Sequence, residues 1–310
     1  MLDVLAAFRR PGRWYRGNVH CHSTASDGRL SITDRFAAYR DAGYDFLVLT
    51  DHRKVSDVSA CSDGDFLAIS GSEIHPPNPY GGDRYHIVAI NIHERIPDEE
   101  MHPNEAIAAI LSQGGEAVIC HPYWCGHTFQ DLAPLRGYLA VEVYNDTCMG
   151  IGRGYSESHW DELLDHVGPC WGMATDDAHG TEHDCFHAWV MVHAPELSLA
   201  AILESLRQGH FYSTQGPAFE HMEMRTTEVP DADDGVRVVP ALAIRTSPVQ
   251  AICFMGHRWR GKRVLASEGS ALVEAEYPIL NGEKYVRVEI VDERGRKAWS
   301  QPVFLNAESL

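Results

Sequence analysis

GNVHCHSTASDG (17–28) sets two histidines one residue apart and an aspartate five positions beyond the second. The residues before it, WYRGNVH (14–20), have the make-up of a short strand. Along a strand, residues i and i+2 point to the same face, so His20 and His22 can reach one cation while Cys21 points away. Taken alone, H-x-H is a weak sign of a metal site. Its weight depends on what the rest of the chain brings to the same place.

Six further segments read as strands: DFLVLT (45–50), FLAIS (66–70), YHIVAINI (85–92), EAVIC (116–120), LAVEVYN (139–145) and CWGMAT (170–175), with HAWVMV (187–192) behind them. They are short, apolar and bounded by turn residues. Helical stretches lie between several of them. SITDRFAAYRDAG (31–43) opens on a serine cap and stops at glycine, PNEAIAAILSQGG (103–115) opens on proline, and SESHWDELLDH (156–166) puts Trp160, Leu163 and Leu164 on one face. This interleaving predicts an α/β fold of parallel strands joined by crossover helices. With seven or eight strands it favours a barrel. After SLAAILESLRQG (198–209) the helical period stops, and only strand-like runs such as YVRVEIVDERG follow. We therefore expect two domains, 1–215 and a small all-β domain at 216–310. TTEVPDADDG (226–235) reads as a solvated acidic loop.

Chemistry-bearing residues recur at the strand ends. His52 follows DFLVLT, Glu73 lies just past FLAIS, His86 stands at the start of HIVAINI, His121 follows EAVIC, and Asp177 and His179 follow CWGMAT. Active sites of parallel barrels are built at that edge. Core histidines satisfied by their neighbours would be scattered over the helices too, and these are not. So many imidazoles and carboxylates converging without a cation would repel and be costly to desolvate. A polynuclear metal site is the expectation. Asp176 adjoins Asp177, and the D-x-H spacing to His179 selects Asp177.

Other features narrow the class. The chain has 310 residues and a formal net charge of −18, which argues against a basic nucleic-acid-binding surface. No apolar run approaches the roughly 20 residues of a membrane helix. The basic residues of MLDVLAAFRRPGRWYRG (1–17) follow a very short apolar run, the reverse of a secretory signal, so a cytoplasmic location is expected. The eight cysteines lack disulfide-framework or zinc-ribbon spacing and read as reduced, mostly buried thiols. GIGRG (150–154) lacks the G-x-G-x-x-G spacing of a dinucleotide loop.

In order, HCHSTASDG, LTDH, GSEI, YHIVAIN, CHP and DDAHG resemble the motifs of the PHP superfamily, named for polymerase and histidinol phosphatase domains. The C-terminal part is similar to the β appendage of the branch that includes carbaryl-hydrolase-like metallohydrolases. The resemblance implies a distorted seven-stranded (β/α) barrel holding two or three divalent ions. His20, His22, Glu73 and Asp177 would hold one ion, Glu73 would bridge to a second held by His86 and His121, and Asp27, His52 and His179 would hold a third. Nitrogen and oxygen donors suit zinc, manganese or iron. The implied activity is hydrolysis of a small phosphorylated substrate by a metal-bridging hydroxide, with Glu73 and Asp177 catalytic. The ions would reverse the acidic charge locally. Arg84 and Arg153 are the candidate phosphate clamps, and His75 and His127 are candidate proton donors. A carboxyl or carbamate ester hydrolase is the alternative enzyme, and a non-catalytic, metal-stabilised module the alternative outside enzymes. Amidohydrolases also open with H-x-H on a barrel, but lack the early Asp27–His52 pair.

Overall fold

The computed structural model describes residues 3–231, 235–280 and 282–305. The chain divides into two compact units, Gly12–Arg207 and Met1–Pro11 with Gln208–Leu310. Among the described residues, no helix is long and apolar enough to cross a membrane.

The first unit is built on eight strands: β1 (Arg13–Asn18), β2 (Phe46–Leu49), β3 (Leu67–Ile74), β4 (Ile87–Ile90), β5 (Glu116–Ile119), β6 (Ala140–Asn145), β7 (Trp171–Thr175) and β8 (Trp189–Ala194). Their order across the sheet is β8-β1-β2-β3-β4-β5-β6-β7. Strands β1, β2 and β3 run parallel, as do β5, β6 and β7. β4 is antiparallel to both neighbours, and β8 is antiparallel to β1. This departs from the expected run of parallel strands. The reason lies between β3 and β4, where no crossover helix intervenes, so β4 simply turns back. Nor is the sheet closed into the expected seven-stranded barrel. The segments that follow β1 and β7 meet instead: Cys21 bridges Ala178, His22 N–H donates to Ala178 O (2.9 Å) and Asp177 N–H to His20 O (3.0 Å).

Helix α1 (Ile32–Asp41) is capped by Ser31, whose hydroxyl accepts from Asp34 N–H, and the chain turns at Gly43 with φ +79°. Helix α2 (Pro103–Ser112) starts on proline inside a capping box of His102 and Glu105. Two single-turn helices follow β5, α3 (Pro122–Cys125) and α4 (Phe129–Leu132). α5 (Glu157–His166) buries Trp160, Leu163 and Leu164, the face its spacing predicts, and α6 (Leu199–Gln208) follows β8. Cys21, Phe36, Tyr39, Leu47 and Phe66 share one buried cluster, so the Cys21 thiol does face away from its flanking histidines.

In the second unit every element after α6 is a strand. β9 (Phe211–Thr214) pairs antiparallel with β16 (Lys297–Ser300). That pairing places 211–214 with the C-terminal strands, ahead of the sequence boundary at 215. β10 (Phe219–Pro230), β11 (Val236–Val249) and β14 (Leu272–Pro278) form a separate antiparallel sheet. Thr226–Pro230 of the expected acidic loop therefore belongs to β10, and 232–234 lies outside the described residues.

Strands β1 and β2 approach through Gly17, paired with Phe46. A β-carbon at Gly17 would lie 2.0 Å from the Phe46 ring. We predict that Gly17→Ala destabilises the protein by about 1–3 kcal/mol through overpacking. Urea unfolding checks this, and an unchanged midpoint would show that the ring moves aside freely.

Candidate metal centre

Because β4 runs backwards, its first residues lie at the edge where β1, β2, β3, β5, β6 and β7 end. His86, one residue before β4, thereby joins side chains that follow the parallel strands. His52 forms a bridge pair with Glu73 of β3. Asp27 arrives on a tight turn after β1. Its framework is the Asp51 carboxylate, which accepts from Ser23 N–H (2.7 Å), Ser23 Oγ (2.7 Å) and Ser26 Oγ (2.6 Å). Gly28 closes the turn where a β-carbon would meet the His22 carbonyl at 2.5 Å.

Glu73 is fully buried and stands among six imidazoles. Oε1 lies 2.7 Å from His86 Nδ1, 3.5 Å from His121 Nε2 and 3.6 Å from His75 Nε2. Oε2 lies 2.9 Å from His52 Nδ1, 3.3 Å from His20 Nε2 and 3.5 Å from His22 Nε2. Asp177 Oδ1 faces His22 Nε2 at 2.9 Å and His20 Nε2 at 3.1 Å. Asp27, more than half exposed, faces His52 Nε2 (3.4 Å), His179 Nε2 (3.5 Å) and His22 Nδ1 (3.9 Å).

The donor atoms form groups within 4.8 Å of one another: His20, His22, Glu73 and Asp177; His22, Asp27, His52 and His179; His86, His121 and Cys125. All nine residues singled out in the sequence thus meet at one place. His22 belongs to two groups, and Cys125 joins a group that the sequence composed of histidines and a carboxylate alone.

A layer of hydrogen bonds fixes these side chains. Glu142, buried in β6, accepts from His20 Nδ1 (2.7 Å), Thr175 Oγ1 (2.8 Å), His121 N–H (2.9 Å) and Asn145 Nδ2 (3.0 Å). It thereby turns His20 Nε2 toward Glu73 and Asp177. Asp176 accepts from Asn18 Nδ2 (2.6 Å), Tyr39 Oη (2.7 Å) and the N–H groups of Phe186, His187 and Ala188 (2.8–2.9 Å). It faces the interior, whereas Asp177 faces the histidines. His121 and Asp177 both sit at positive φ (+27° and +54°), strained backbone held by the structure around it.

The electrostatics point to missing positive charge. Burial raises the Glu73 carboxyl, but His86 and His20 outweigh it and hold it well below the usual carboxylate range. Burial likewise opposes charge on His20, yet Asp177 and Glu142 draw that imidazole well above its ordinary value. Burial wins at His86, whose imidazole titrates below normal. The buried His20 Nε2 and His22 Nδ1 nonetheless make no hydrogen bond, although carboxylates stand near both. Lone pairs converging with carboxylates, without a hydrogen bond between them, fit divalent cations.

A cavity of about 270 Å³ opens onto this cluster, lined among others by Asp27, Glu73, His121, Trp124, Cys148 and Asp177. Neither expected phosphate clamp lines it. Arg84 donates through Nη1 to the carbonyls of His75 (2.9 Å) and Glu99 (3.1 Å), and Arg153 stands over the Tyr123 ring at 5.4 Å. His75 does join the cluster, 3.1 Å from His52, while His127 Nε2 is turned to Asp83 O at 3.2 Å. Sequence reasoning missed Glu142, Asp51 and Trp124. An acidic residue inside the otherwise apolar run LAVEVY (139–144) was the available sign for Glu142.

Glu142→Ala should cost roughly 3–5 kcal/mol of stability, because it strands buried donors around an unbalanced charge. Glu142→Gln, which keeps the shape, should cost less. Urea midpoints of the two variants read this directly. Equal midpoints for Glu142→Ala and wild type would place the support of His20 elsewhere.

No family model matches the chain, and no curated protein matches it. Solved structures do. A two-domain protein containing a predicted PHP-like metal-dependent phosphoesterase, from Bacteroides vulgatus ATCC 8482, is 18% identical, with a TM-score of 0.51 over 98% of this chain and 97% of that one. An amidohydrolase from Chromobacterium violaceum, solved with sulfate and no metal, is 16% identical with a TM-score of 0.42, covering 54% of this chain and 89% of that one. The first likeness runs almost end to end through both chains, and by it this chain shares the fold of that two-domain protein.

Proposed function

We propose that the protein is a metal-dependent hydrolase, and within that class a phosphoesterase acting on a small phosphorylated molecule. The observation that carries the reading is the buried Glu73 carboxylate with imidazole nitrogens on both of its oxygens. His20, His22, Glu73 and Asp177 would hold one ion, Glu73, His86 and His121 a second, and Asp27, His52 and His179 a third. Zinc, manganese and iron all suit these donors. Divalent ions held there supply Lewis acidity, making water acidic near neutral pH and offsetting charge on substrate oxygens.

The chain's own residues do the positioning. Glu142 keeps the His20 Nδ1 proton pointing away from the cluster, so Nε2 is the free donor. His179 Nδ1 donates to Asp177 O at 2.8 Å, which leaves its Nε2 for the Asp27 side. His75 Nε2 lies 3.1 Å from His52 Nδ1, within hydrogen-bond distance. Its peptide is clamped by Asp98, which accepts from His75 N–H at 2.7 Å, and by Arg53, which donates to His75 O at 3.0 Å. Every one of the nine ligands lies within Gly12–Arg207, so we assign the chemistry to residues 1–215 and none of it to the all-β part, 216–310.

A carboxyl or carbamate ester hydrolase is the second reading. It is favoured by the absence of lysine and arginine among the described residues lining the cavity. A neutral carbonyl needs no cationic clamp. A purely structural module does not account for a full donor set opening onto a cavity.

The deciding experiment is a hydrolysis screen of phosphomonoesters, phosphodiesters and aryl esters with defined manganese or zinc loading. Turnover of phosphoesters above aryl esters is expected, and the reverse preference would replace the first reading with the second. Elemental analysis of protein purified without chelator and reconstituted should give two or three ions per chain, and a value near zero would end both readings. Glu73→Gln should lower hydrolysis by about a hundredfold or more, ~2.7 kcal/mol in the barrier, while leaving the fold intact. Activity within a few-fold of wild type would put the bridge on another residue.

A further inference from the structure

The exposed large apolar side chains of the first unit are not spread evenly. Tyr80, Tyr123, Trp124, Met149 and Ile151 are all more than a third exposed. They sit in the β3–β4 connection, in α3 after β5, and in the turn after β6. All three segments leave the sheet at the edge that carries the histidine cluster. Only Leu111 and Val167, at the far ends of α2 and α5, are comparably exposed elsewhere in that unit.

Trp124 ties this apolar rim to the cluster. It lines the cavity and is 41% exposed. Its ring stands edge-on to His121 (centroids 5.1 Å, planes at 79°) and to His86 (5.6 Å, 65°). The indole is therefore braced against two imidazoles of the centre and keeps open surface toward the cavity. The chain next to Trp124 and the turn after β6 are fixed too: Tyr123 N–H donates to Ser156 Oγ at 3.2 Å, and Met149 packs where a Gly154 β-carbon would be, 2.6 Å away. A cavity of about 150 Å³ holds a benzene ring. The 270 Å³ here leaves room for a ring and the reacting ester beside it.

We propose that Trp124 forms a stacking subsite for a planar aromatic group of the substrate, set next to the bond to be hydrolysed. This rests on the hydrolase reading and names the substrate class it takes: an ester carrying an aromatic ring, in preference to an alkyl ester. An aromatic ring is matched by an indole face. An apolar rim gives an alkyl phosphate or a sugar phosphate little to bind, and Arg153 beside it is stacked over the Tyr123 ring at 5.4 Å.

The test uses two probes on the full-length protein. Phenylphosphonate and methylphosphonate are titrated calorimetrically into the manganese-loaded protein, wild type and Trp124→Ala. Wild type should bind the phenyl compound at least about tenfold more tightly, ~1.4 kcal/mol, and the phenyl-to-methyl ratio should fall toward one in Trp124→Ala and recover in Trp124→Phe. A wild-type ratio near one, or a ratio that Trp124→Ala leaves untouched, overturns the subsite. Metal content of each variant is measured alongside.

The second probe separates this proposal from the function on which it rests. p-Cresol and adenine are tested by saturation-transfer NMR on metal-free protein. Saturable binding of either that Trp124→Ala abolishes supports the subsite, and tells a phenol from a nucleobase. If neither phosphonate binds while an aromatic probe does, the phosphoesterase reading fails and the subsite stands. If no aromatic probe binds, the subsite fails whatever the phosphonates do.

Discussion

A carboxylate removed from water among six imidazoles is the constraint on which the rest of the first unit depends. An isolated buried carboxylate is costly, and burial alone would neutralise Glu73. It stays ionised because His86 and His20 supply positive charge around it. Burial opposes charge on both imidazoles: it prevails at His86, whereas Asp177 and Glu142 draw His20 upward. The group is self-consistent only when charge is shared over many partners or supplied by cations. This explains why the outer layer is so heavily hydrogen-bonded. Glu142 fixes His20 and the His121 peptide, Asp176 ties β1, α1 and 186–188 together, and Asp51 shapes the turn that delivers Asp27. Each of these is a buried acid with its acceptor sites filled, the arrangement that makes such a group affordable in a low-dielectric interior.

Strand direction does as much for the site as the ligands. A parallel β4 would place His86 at the opposite edge, the length of a strand from Glu73. The reversal instead sets Glu73 opposite Val88 and Ile74 opposite Ile87, which leaves His86 beside His75 just past the ladder. Their ring centroids are 4.1 Å apart. A histidine at the start of a strand and histidines at the ends of others can therefore share a centre.

This marks the limit of what could be read from the residues. H-x-H at 20–22 and the strand-end positions of His52, Glu73, His121, Asp177 and His179 follow from period-2 patterning and turn residues, and the structure brings all of them to one edge. The direction of β4 was not legible, because the apolar run IVAI buries every side chain in either orientation. That the sheet stays open was hidden for a similar reason: closure depends on pairing between β7 and β8, which no local pattern encodes. Arg84 was named from its nearness to His86 in sequence, but its guanidinium is turned to two backbone carbonyls. Glu142 escaped notice because its role lies in what it accepts from other strands.

The cavity joins two surfaces of opposite character. Its floor is acidic and imidazole-rich, Trp124 lines it, and the loops that leave the sheet at the same edge carry further exposed apolar side chains. With a net charge of −18 over the whole sequence and no lysine or arginine among the described lining residues, the chain offers an anion no permanent cation at the cavity. In the proposed reading, bound ions meet the reacting group and the rim meets what is attached to it. Selectivity then comes from apolar shape at the loops, which can vary without disturbing the floor, whose side chains are locked by strands and hydrogen bonds. The strained positive φ of His121 fits this division, since that residue must point its imidazole to the floor while the next residues turn outward to carry Trp124 to the rim.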